Sequence, residues 1–372
     1  MKNETSESQI TMNFLTQVMA IAAVCLASAN AAADDAKVAW TGKTFLDVTY
    51  KQVGQRQIKL DIYLPPAGQG STPPQFSKTE PTALAAGIDD ANNNNNNNET
   101  PGASADGSQE AQAAPVLYYV HGGGWAAGSK DKGGLPLMLP VFQQVAEQGF
   151  ACVSINYRLC KKNSGVVMRD CVIDAMDGLR FIKKNAKRYG LDPDQIVVWG
   201  DSAGGHLAQM LTLADPNAFI GDESLADVSV DPIAGMSWYG PTDFTDIELF
   251  KTDNASKNPN RFAARITGTA AGYAEDPKAY EEMSPYYWIK NDSPPLLLLQ
   301  GDTDSTIPLA HAPHLKTKAD KIGADVTMVI VKHAGHNWRK AGGDPSPGKS
   351  EIQRITAEFA VQQVEAKGAS KH

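Results

Sequence analysis

A serine in a predicted tight turn is the residue of this sequence best suited to nucleophilic chemistry. An apolar run at 195–199 leads into Gly-Asp-Ser-Ala-Gly at 200–204, and a helical apolar pattern follows. A strand, a sharp turn and a helix in this order leave the Ser202 hydroxyl at the turn apex, in front of the first N–H groups of the helix. Because Gly-x-Ser-x-Gly also occurs in ordinary turns, the prediction that Ser202 is a nucleophile depends on the flanking strand and helix.

A serine hydroxyl needs a neighbouring base that removes its proton and a third group that orients the base. In a sheet of parallel strands, such groups gather beyond the carboxyl ends of the strands. Two later apolar runs end in suitable side chains: one leads into Asp302 and Asp304, and the next leads into His333 and His336. The sequence therefore predicts a Ser, Asp, His triad in that chain order. His336 is the favoured base because it follows a glycine in a loop, whereas His333 is nearer the strand.

The negative charge that develops on a substrate carbonyl needs hydrogen-bond donors. The sequence His-Gly-Gly-Gly-Trp at 121–125 follows an apolar run, and its glycine backbone can turn N–H groups toward a substrate. The N–H of Ala203, directly after the predicted nucleophile, is a second source of donors. His121 is expected to brace the glycine loop rather than to act as a base.

Together these motifs resemble those of the α/β-hydrolase esterases of the HGGG type, the hormone-sensitive-lipase-like group. The sequence is most similar to the branch of bacterial carboxylesterases and feruloyl or acetyl-xylan-type esterases that share His-Gly-Gly-Gly-Trp, Gly-Asp-Ser-Ala-Gly-Gly-His and Gly-x-x-Asp-x-x-Ile/Val-Pro. The match covers about 45–64 and 115–366, and the motifs occur in the family's order. The resemblance implies an α/β-hydrolase fold and ester hydrolysis through an acyl-enzyme, with no metal or organic cofactor.

The resemblance also implies roles for individual residues. It implies a catalytic triad of Ser202, Asp304 and His336. It also implies an oxyanion hole lined by Gly123, Gly124 and Ala203. Asp304 is preferred to Asp302 because the family places its acid three residues after the glycine and four before the proline. Asp302 is then expected to be a turn residue that hydrogen-bonds its own backbone.

Three aromatic residues follow predicted strand ends and are candidates for the walls of the substrate pocket: Trp125, Trp238 and Tyr239. Ordinary core packing is the alternative for each of them. His311 and His314 lie three residues apart on a predicted helix, a spacing compatible with metal binding. No other ligand is suggested, so both imidazoles are expected to face solvent, and no metal site is predicted.

Apolar runs that alternate with helical patterns predict an eight-stranded, mostly parallel sheet with helices on both faces, in one domain. The predicted strands are 45–52, 57–64, 116–120, 151–155, 195–199, 230–238, 295–300 and 325–331. The predicted helices are 135–148, 167–189, one that begins behind Ser202, 309–322 and 351–365. The segment 242–288, after the sixth strand, is predicted to form a small lid or pocket wall.

The segment 65–114 differs in composition from the rest of the chain. It is rich in Pro, Gly, Ser, Ala, Gln and acidic residues and contains seven consecutive asparagines at 92–98. Burial of so few apolar side chains would not offset the conformational entropy that the segment would lose on folding. The composition therefore predicts a flexible insert. The hydrolase domain is then expected to comprise 32–64 and 115–372. Because the second and third strands should run antiparallel, the insert should leave the sheet opposite Ser202 and be a surface tether or have no function, rather than form a lid.

Residues 1–31 are predicted to be a signal peptide, since an apolar run is followed by Ala-Asn-Ala, which fits a small-residue cleavage site. The run is too short and too rich in alanine for a convincing membrane span. Export to the periplasm or the extracellular space is therefore expected, with a buried N-terminal helix as the alternative. Removal of the leader leaves three cysteines, of which Cys160 and Cys171 are either a disulfide or two free thiols.

The residues leave two other functions open. The same machinery could hydrolyse an amide, as in an aryl formamidase or an exopeptidase of this fold. A non-catalytic binding protein is the third possibility, although all three triad residue types are present. The net charge of −8 gives no support for nucleic-acid binding, so the expected partner is a small-molecule or carbohydrate ester.

Overall fold

A single eight-stranded sheet carries the predicted triad residues in loops that follow the carboxyl ends of its strands. The computed structural model describes residues 40–66, 113–252 and 257–370. The strands of the sheet are β1 (Thr44–Val53), β2 (Arg56–Tyr63), β3 (Ala114–Val120), β4 (Ala151–Ile155), β5 (Leu191–Asp201), β6 (Ala234–Trp238), β7 (Leu296–Gly301) and β8 (Val326–Val331). Their spatial order is β1-β2-β4-β3-β5-β6-β7-β8.

Six of the strands are parallel to one another. The hairpin β1-β2 is antiparallel, and β2 pairs antiparallel with β4, whereas β4, β3, β5, β6, β7 and β8 are all joined by parallel pairing. Parallel strands buried on both faces require continuous apolar sequence, and β3, β4 and β7 provide it. The prediction of an eight-stranded, mostly parallel sheet is confirmed.

Helices cover both faces of the sheet. They are α1 (Leu139–Glu147), α2 (Met168–Lys184), α3 (Ala186–Tyr189), α4 (Ala203–Leu213), α5 (Ala263–Ile266), α6 (Pro277–Glu282), α7 (Pro285–Trp288), α8 (His311–Ile322) and α9 (Lys349–Ala369). Helices α1 and α9 pack on each other, and the Trp238 indole N–H on that face of the sheet donates to Thr356 of α9. Helices α2 and α4 also contact each other and enclose a large apolar cluster.

Two consecutive tyrosines of β3 show how the strand serves both faces. The Tyr118 hydroxyl donates to the Ala175 carbonyl oxygen in α2, while the ring of Tyr119 packs against Phe142 of α1. Successive side chains of a strand point to opposite faces, so neighbouring residues enter separate cores. Both tyrosines are fully buried, which fixes the register of β3.

Some element boundaries differ from the predicted ones. The sixth strand was predicted at 230–238, but β6 begins only at Ala234. The helix predicted at 167–189 is divided into α2 and α3 at Asn185, whose side-chain amide donates to the Phe181 carbonyl oxygen. Asparagine competes in this way with the backbone for helical hydrogen bonds. Between β6 and β7, where a lid or pocket wall was predicted, the chain forms the short helices α5, α6 and α7.

Two of the sequence predictions concern residues outside the described ranges. The signal peptide at 1–31 lies wholly outside them, as does most of the insert at 65–114. The chain divides after Trp40, and all of the helices and strands given above lie in the unit Thr41–His372. Within the described ranges, the structure contains no helix long and apolar enough to span a bilayer.

The described ends of the insert lie near the amino ends of the parallel strands, whereas Ser202 lies at their carboxyl ends. Tyr63, the last residue of β2, pairs with Cys152 near the start of β4, and Val116, near the start of β3, pairs with Ala151. Ser202, in contrast, follows the carboxyl end of β5. The strands that flank the insert thus have the antiparallel directions that the sequence predicted.

We expect deletion of residues 72–112 to raise the free energy of unfolding by about 1.5 kcal/mol, because a shorter loop loses less entropy on closure. After the deletion, the connection from Tyr63 to Ala114 is still long enough to cross two strand spacings, which is roughly 10 Å. Urea unfolding monitored by circular dichroism measures the change. The kcat/KM for a small ester should stay at the wild-type value, and a marked loss of either quantity would contradict a passive insert.

Candidate active site

Ser202 occupies a strained turn between β5 and α4. Its backbone has φ 53° and ψ −117°, a conformation that costs a non-glycine residue about 1–3 kcal/mol. The turn is possible because strand and helix nearly touch: a Cβ on Gly200 would lie 2.1 Å from the Gly204 carbonyl oxygen, and a Cβ on Gly204 would lie 2.0 Å from that of Val120. The Ser202 N–H donates to the Trp238 carbonyl oxygen on the neighbouring strand, at 2.8 Å.

The structure brings Ser202, Asp304 and His336 together from three separate loops. His336 Nε2 lies 3.0 Å from Ser202 Oγ, and His336 Nδ1 lies 2.7 Å from Asp304 Oδ2. With Nδ1–H donating to the carboxylate, Nε2 is the free nitrogen that accepts the serine O–H. This chain of hydrogen bonds has the geometry of an activated nucleophile, a base and a group that orients the base.

The loop after β7 fixes the Asp304 carboxylate and directs it at the imidazole. Asp304 Oδ1 accepts the N–H of Thr306 at 2.7 Å and that of Ile307 at 3.0 Å, which leaves Oδ2 for His336. Asp302 does not hydrogen-bond its own backbone as expected. Its Oδ1 accepts the Ala334 N–H instead, at 3.3 Å, because the loops after β7 and β8 are adjacent.

The backbone N–H groups of the three predicted oxyanion-hole residues are free to donate. Among the described residues, those of Gly123, Gly124 and Ala203 form no hydrogen bond with a protein acceptor. Ala203 is the first residue of α4, so its N–H carries the partial positive charge of the helix N-terminus. All three predicted oxyanion-hole residues therefore flank Ser202 with free donors.

Asp201 is a site residue that sequence reasoning missed. Its carboxylate is fully buried, and Oδ1 accepts the Gly122 N–H at 2.8 Å and the Tyr119 hydroxyl at 2.7 Å. Its Oδ2 forms an ion pair with Lys132, whose side chain is 23% exposed. The carboxylate thus attaches the glycine loop to the end of β5. A charged residue at the end of an otherwise apolar strand was the available signal in the sequence.

The pocket in front of Ser202 is small and has both apolar and polar walls. Its volume is about 250 Å³, and Trp125, Phe262 and Ile307 form the apolar part of its lining. Lys132, Thr306 and Asn337 are among its polar lining residues. A larger and more open cavity, which Asp231 and Lys367 help to line, has none of the predicted site residues in its lining.

The structure places the three predicted pocket aromatics differently. Trp125 lines the pocket, and its ring packs edge-on against Phe262, 5.2 Å away. Tyr239 packs against the His336 ring at 4.6 Å and so supports the imidazole from the side. Trp238 lies in the core instead, where its ring contacts Trp199 and its N–H is bonded to α9. The alternation of side chains along β6 directs it away from the pocket.

Three buried histidines surround the site without joining the triad. Burial lowers the pKa of His121 and of His206 from 6.5 to about 4, and that of His311 to about 3. The ring of His121 stacks on Tyr157 behind the glycine loop, consistent with the expected bracing role. The expectation that His311 faces solvent was wrong: it is fully buried, 4.3 Å from the Phe250 ring.

His206 connects the pocket wall to the segment between β6 and β7. Its Nε2–H donates to the Met283 carbonyl oxygen at 2.7 Å, and its Nδ1 accepts the Trp125 indole N–H at 3.2 Å. These two bonds require the neutral imidazole. In the part of the chain that the structure describes, no three His, Cys, Asp or Glu side chains are arranged to hold a metal ion.

Cys160 and Cys171, whose pairing the sequence left open, are adjacent free thiols in the structure. Their sulfur atoms lie 3.6 Å apart, and both residues are buried. The Cys160 N–H donates to the Trp125 carbonyl oxygen at 2.8 Å, which anchors the end of the glycine loop. Cys152 is also a buried thiol, as expected from its place in an apolar strand.

Comparison with known sequences gives one family and several relatives. The BD-FAE family model matches residues 106–319. The chain is 35% identical over 201 residues to a probable carboxylic ester hydrolase, LipM, of Mycobacterium tuberculosis, with 54% of this chain and 43% of that protein aligned. It is 32% identical over 226 residues to esterase LipQ of the same organism, with 60% and 50% aligned. The chain thus spans about half the length of the curated relatives it matches.

Solved structures share the architecture at low sequence identity. A truncated form of a carbohydrate esterase from gut microbiota superposes with a TM-score of 0.60 at 20% identity, covering 88% of this chain and 98% of that one. A thermophilic esterase, Est2, of Thermogutta terrifontis superposes with a TM-score of 0.60 at 22% identity, covering 88% and 93%. The chain has the α/β-hydrolase fold that the sequence predicted.

The buried histidines predict a loss of stability in mild acid. They are neutral in the folded protein, while the unfolded chain takes up protons near the ordinary pKa of 6.5. The unfolded state therefore binds more protons below about pH 6.5, so stability present above that pH falls as the pH drops toward about 4. Melting temperatures measured between pH 7.5 and pH 4 should show this decline.

Carboxylates also titrate in the lower part of this pH range. Matched variants are therefore needed to assign the loss of stability to a histidine. His206→Gln should flatten the decline between pH 6.5 and pH 4, since one buried imidazole no longer takes up a proton on unfolding. His333→Asn is the control variant, because the imidazole that it removes is exposed rather than buried. Parallel declines in wild type and His206→Gln would rule out His206 as a source of the pH dependence.

Proposed function

The chain belongs to the BD-FAE family, and we propose that it is a serine hydrolase that cleaves carboxylic ester bonds through an acyl-enzyme. The observation that carries the proposal is the unbroken hydrogen-bond chain from Asp304 through His336 to Ser202, beside three free N–H groups. The names of its relatives, a carboxylic ester hydrolase and esterases, support the same bond type.

In the first half of the reaction, His336 Nε2 accepts the Ser202 proton while Oγ attacks the ester carbonyl carbon. Asp304 stabilises the resulting imidazolium and holds its tautomer, because both of its oxygens are already oriented by the hydrogen bonds described above. The imidazolium then gives its proton to the leaving alcohol. A serine acyl ester remains.

The oxyanion of the tetrahedral intermediate is stabilised by the N–H groups of Gly123, Gly124 and Ala203. These donors belong to two rigid elements, the glycine loop and the first turn of α4, so they need little reorganisation as charge develops. In the second half of the reaction, a water molecule in the pocket gives one proton to His336 Nε2 while its oxygen attacks the acyl carbon. His336 then returns that proton to Ser202 Oγ as the bond between Oγ and the acyl carbon breaks, and the acid product is released.

The pocket supports a short acyl group as the preferred substrate. Its volume of about 250 Å³ is below the 300–1,000 Å³ that is usual for sites that hold drug-sized ligands. Trp125 and Phe262 limit its size from one side. Acetylated carbohydrates fit this size better than feruloylated ones, and the likeness to a carbohydrate esterase supports a sugar as the alcohol.

We expect Ser202→Ala to lower kcat for 4-nitrophenyl acetate by roughly 10⁴-fold or more, because the nucleophile is lost while the fold keeps its packing. His336→Asn should have a comparable effect. His333→Asn is the matched control, since that imidazole is exposed and outside the hydrogen-bond chain, and it should retain wild-type activity. Equal activity in wild type and Ser202→Ala would overturn the proposal.

A fluorophosphonate probe tests the same serine without a substrate. It should label wild type at Ser202, located by peptide mass spectrometry, and should not label Ser202→Ala. Absence of labelling in wild type would favour a non-catalytic binding protein. Faster turnover of formyl-kynurenine or aminoacyl anilides than of acetyl esters would favour the amide-hydrolase alternative instead.

We expect Asp201→Asn to lower kcat by about tenfold or more with a smaller change in KM, because the Gly122 N–H and Lys132 lose their anionic partner and the oxyanion donors shift. Tyr119→Phe is the matched control, since it removes one bond to Asp201 but keeps the carboxylate. Initial rates and melting temperatures are measured for both variants. A folded Asp201→Asn enzyme with wild-type kcat would contradict the positioning role.

A further inference from the structure

An arginine of the segment between β6 and β7 lies beside the glycine loop. Arg265 belongs to α5, and its Nη2 lies 3.8 Å from the position that a Cβ would occupy on Gly124. Its guanidinium carbon lies 5.5 Å from the ring centre of Phe262, a residue that lines the pocket. The guanidinium thus lies beside two residues that line the pocket, Gly124 and Phe262, while Arg265 itself is outside that lining.

The Arg265 guanidinium has no carboxylate partner among the described residues, and its side-chain nitrogens donate no hydrogen bond there. The neighbouring Arg261 is different, because it donates to the carbonyl oxygens of Thr306, Phe250 and Asn258. Arg261 is thus used to hold the segment in place. Arg265, which is partly exposed, keeps its donors available for a ligand.

The other charged side chains at the pocket already have partners. The carboxylates of Asp201 and Asp304 have side-chain exposures of 0%, and their oxygens accept hydrogen bonds from the surrounding protein. Lys132, which is 23% exposed, lines the pocket together with Asp201 and forms an ion pair with it. Arg265 therefore adds a positive charge that no described carboxylate neutralises, although the whole chain carries a net charge of −8.

We propose that Arg265 forms an anion subsite, and that the preferred ester carries a carboxylate a few bonds from the scissile carbonyl. This inference rests on the proposed ester hydrolysis and defines its substrate class. A guanidinium binds a carboxylate through two parallel N–H···O bonds, which a lysine cannot reproduce. The Phe262 face beneath the guanidinium holds it in position by a cation–π contact.

Monomethyl glutarate and dimethyl glutarate form a substrate pair that differs in charge while sharing the acyl chain and the methanol leaving group. We expect wild type to favour the anionic monoester in kcat/KM. Arg265→Gln should lower the ratio of monoester to diester kcat/KM by about tenfold, as expected when a charge-assisted hydrogen bond is lost. Arg265→Lys should restore part of the ratio, and 1 M NaCl should reduce the wild-type preference.

Arg188→Gln is the matched control, because it removes one positive charge from α3, at the opposite end of β5 from Ser202. It should leave the ratio at the wild-type value. A ratio unchanged in Arg265→Gln, or one lowered equally in Arg188→Gln, would overturn the subsite.

Binding measured without turnover separates this inference from the proposed function. Titration calorimetry should show glutarate binding to wild type and about tenfold weaker binding to Arg265→Gln. If wild type fails to hydrolyse either ester but binds glutarate through Arg265, the proposed function fails and the anion subsite stands. If both esters are hydrolysed and glutarate binds neither protein, the subsite fails alone.

Discussion

The site depends on how closely α4 approaches the ends of β3 and β5. A side chain at Gly204 would overlap the Val120 carbonyl oxygen, so the first turn of α4 rests directly on the strand that leads into the glycine loop. This contact places Ser202 and the glycines Gly123 and Gly124 in the lining of the same pocket. The strained backbone of Ser202 is the consequence, and the surrounding sheet holds it in place.

A buried carboxylate forms a second link between β5 and the glycine loop. Asp201 ends β5, and through Gly122 and Lys132 it joins the nucleophile strand to the glycine loop and to the segment that follows the loop. Removing a charge from water is unfavourable unless the charge is paired and hydrogen-bonded, and Asp201 meets both conditions. The same group therefore fixes the start of the glycine loop and neutralises the charge of Lys132.

The sequence alone predicted what depends on local pattern. The apolar runs defined the strands, and the motifs identified the loops that hold Ser202, Asp304 and His336. It did not predict the Asp201–Lys132 pair, because those residues are distant in sequence and meet only after the strands pack. It also misplaced Trp238, whose direction is set by the register of β6 rather than by its position at a strand end. The burial of His311 depends on how the chain after β6 folds over α8, which no local pattern specifies.

The pocket wall and the Asp304 carboxylate are connected through one short piece of backbone. Arg261 precedes Phe262 in the wall and donates to the Thr306 carbonyl oxygen, while the Thr306 N–H donates to the Asp304 carboxylate. The position of Phe262 in the wall is thus tied by two hydrogen bonds to the carboxylate that holds the His336 imidazole. Because a close-packed interior transmits strain, a displacement of the wall would be felt at that carboxylate. In the proposed hydrolase, a poorly fitting substrate would then lower kcat as well as raise KM.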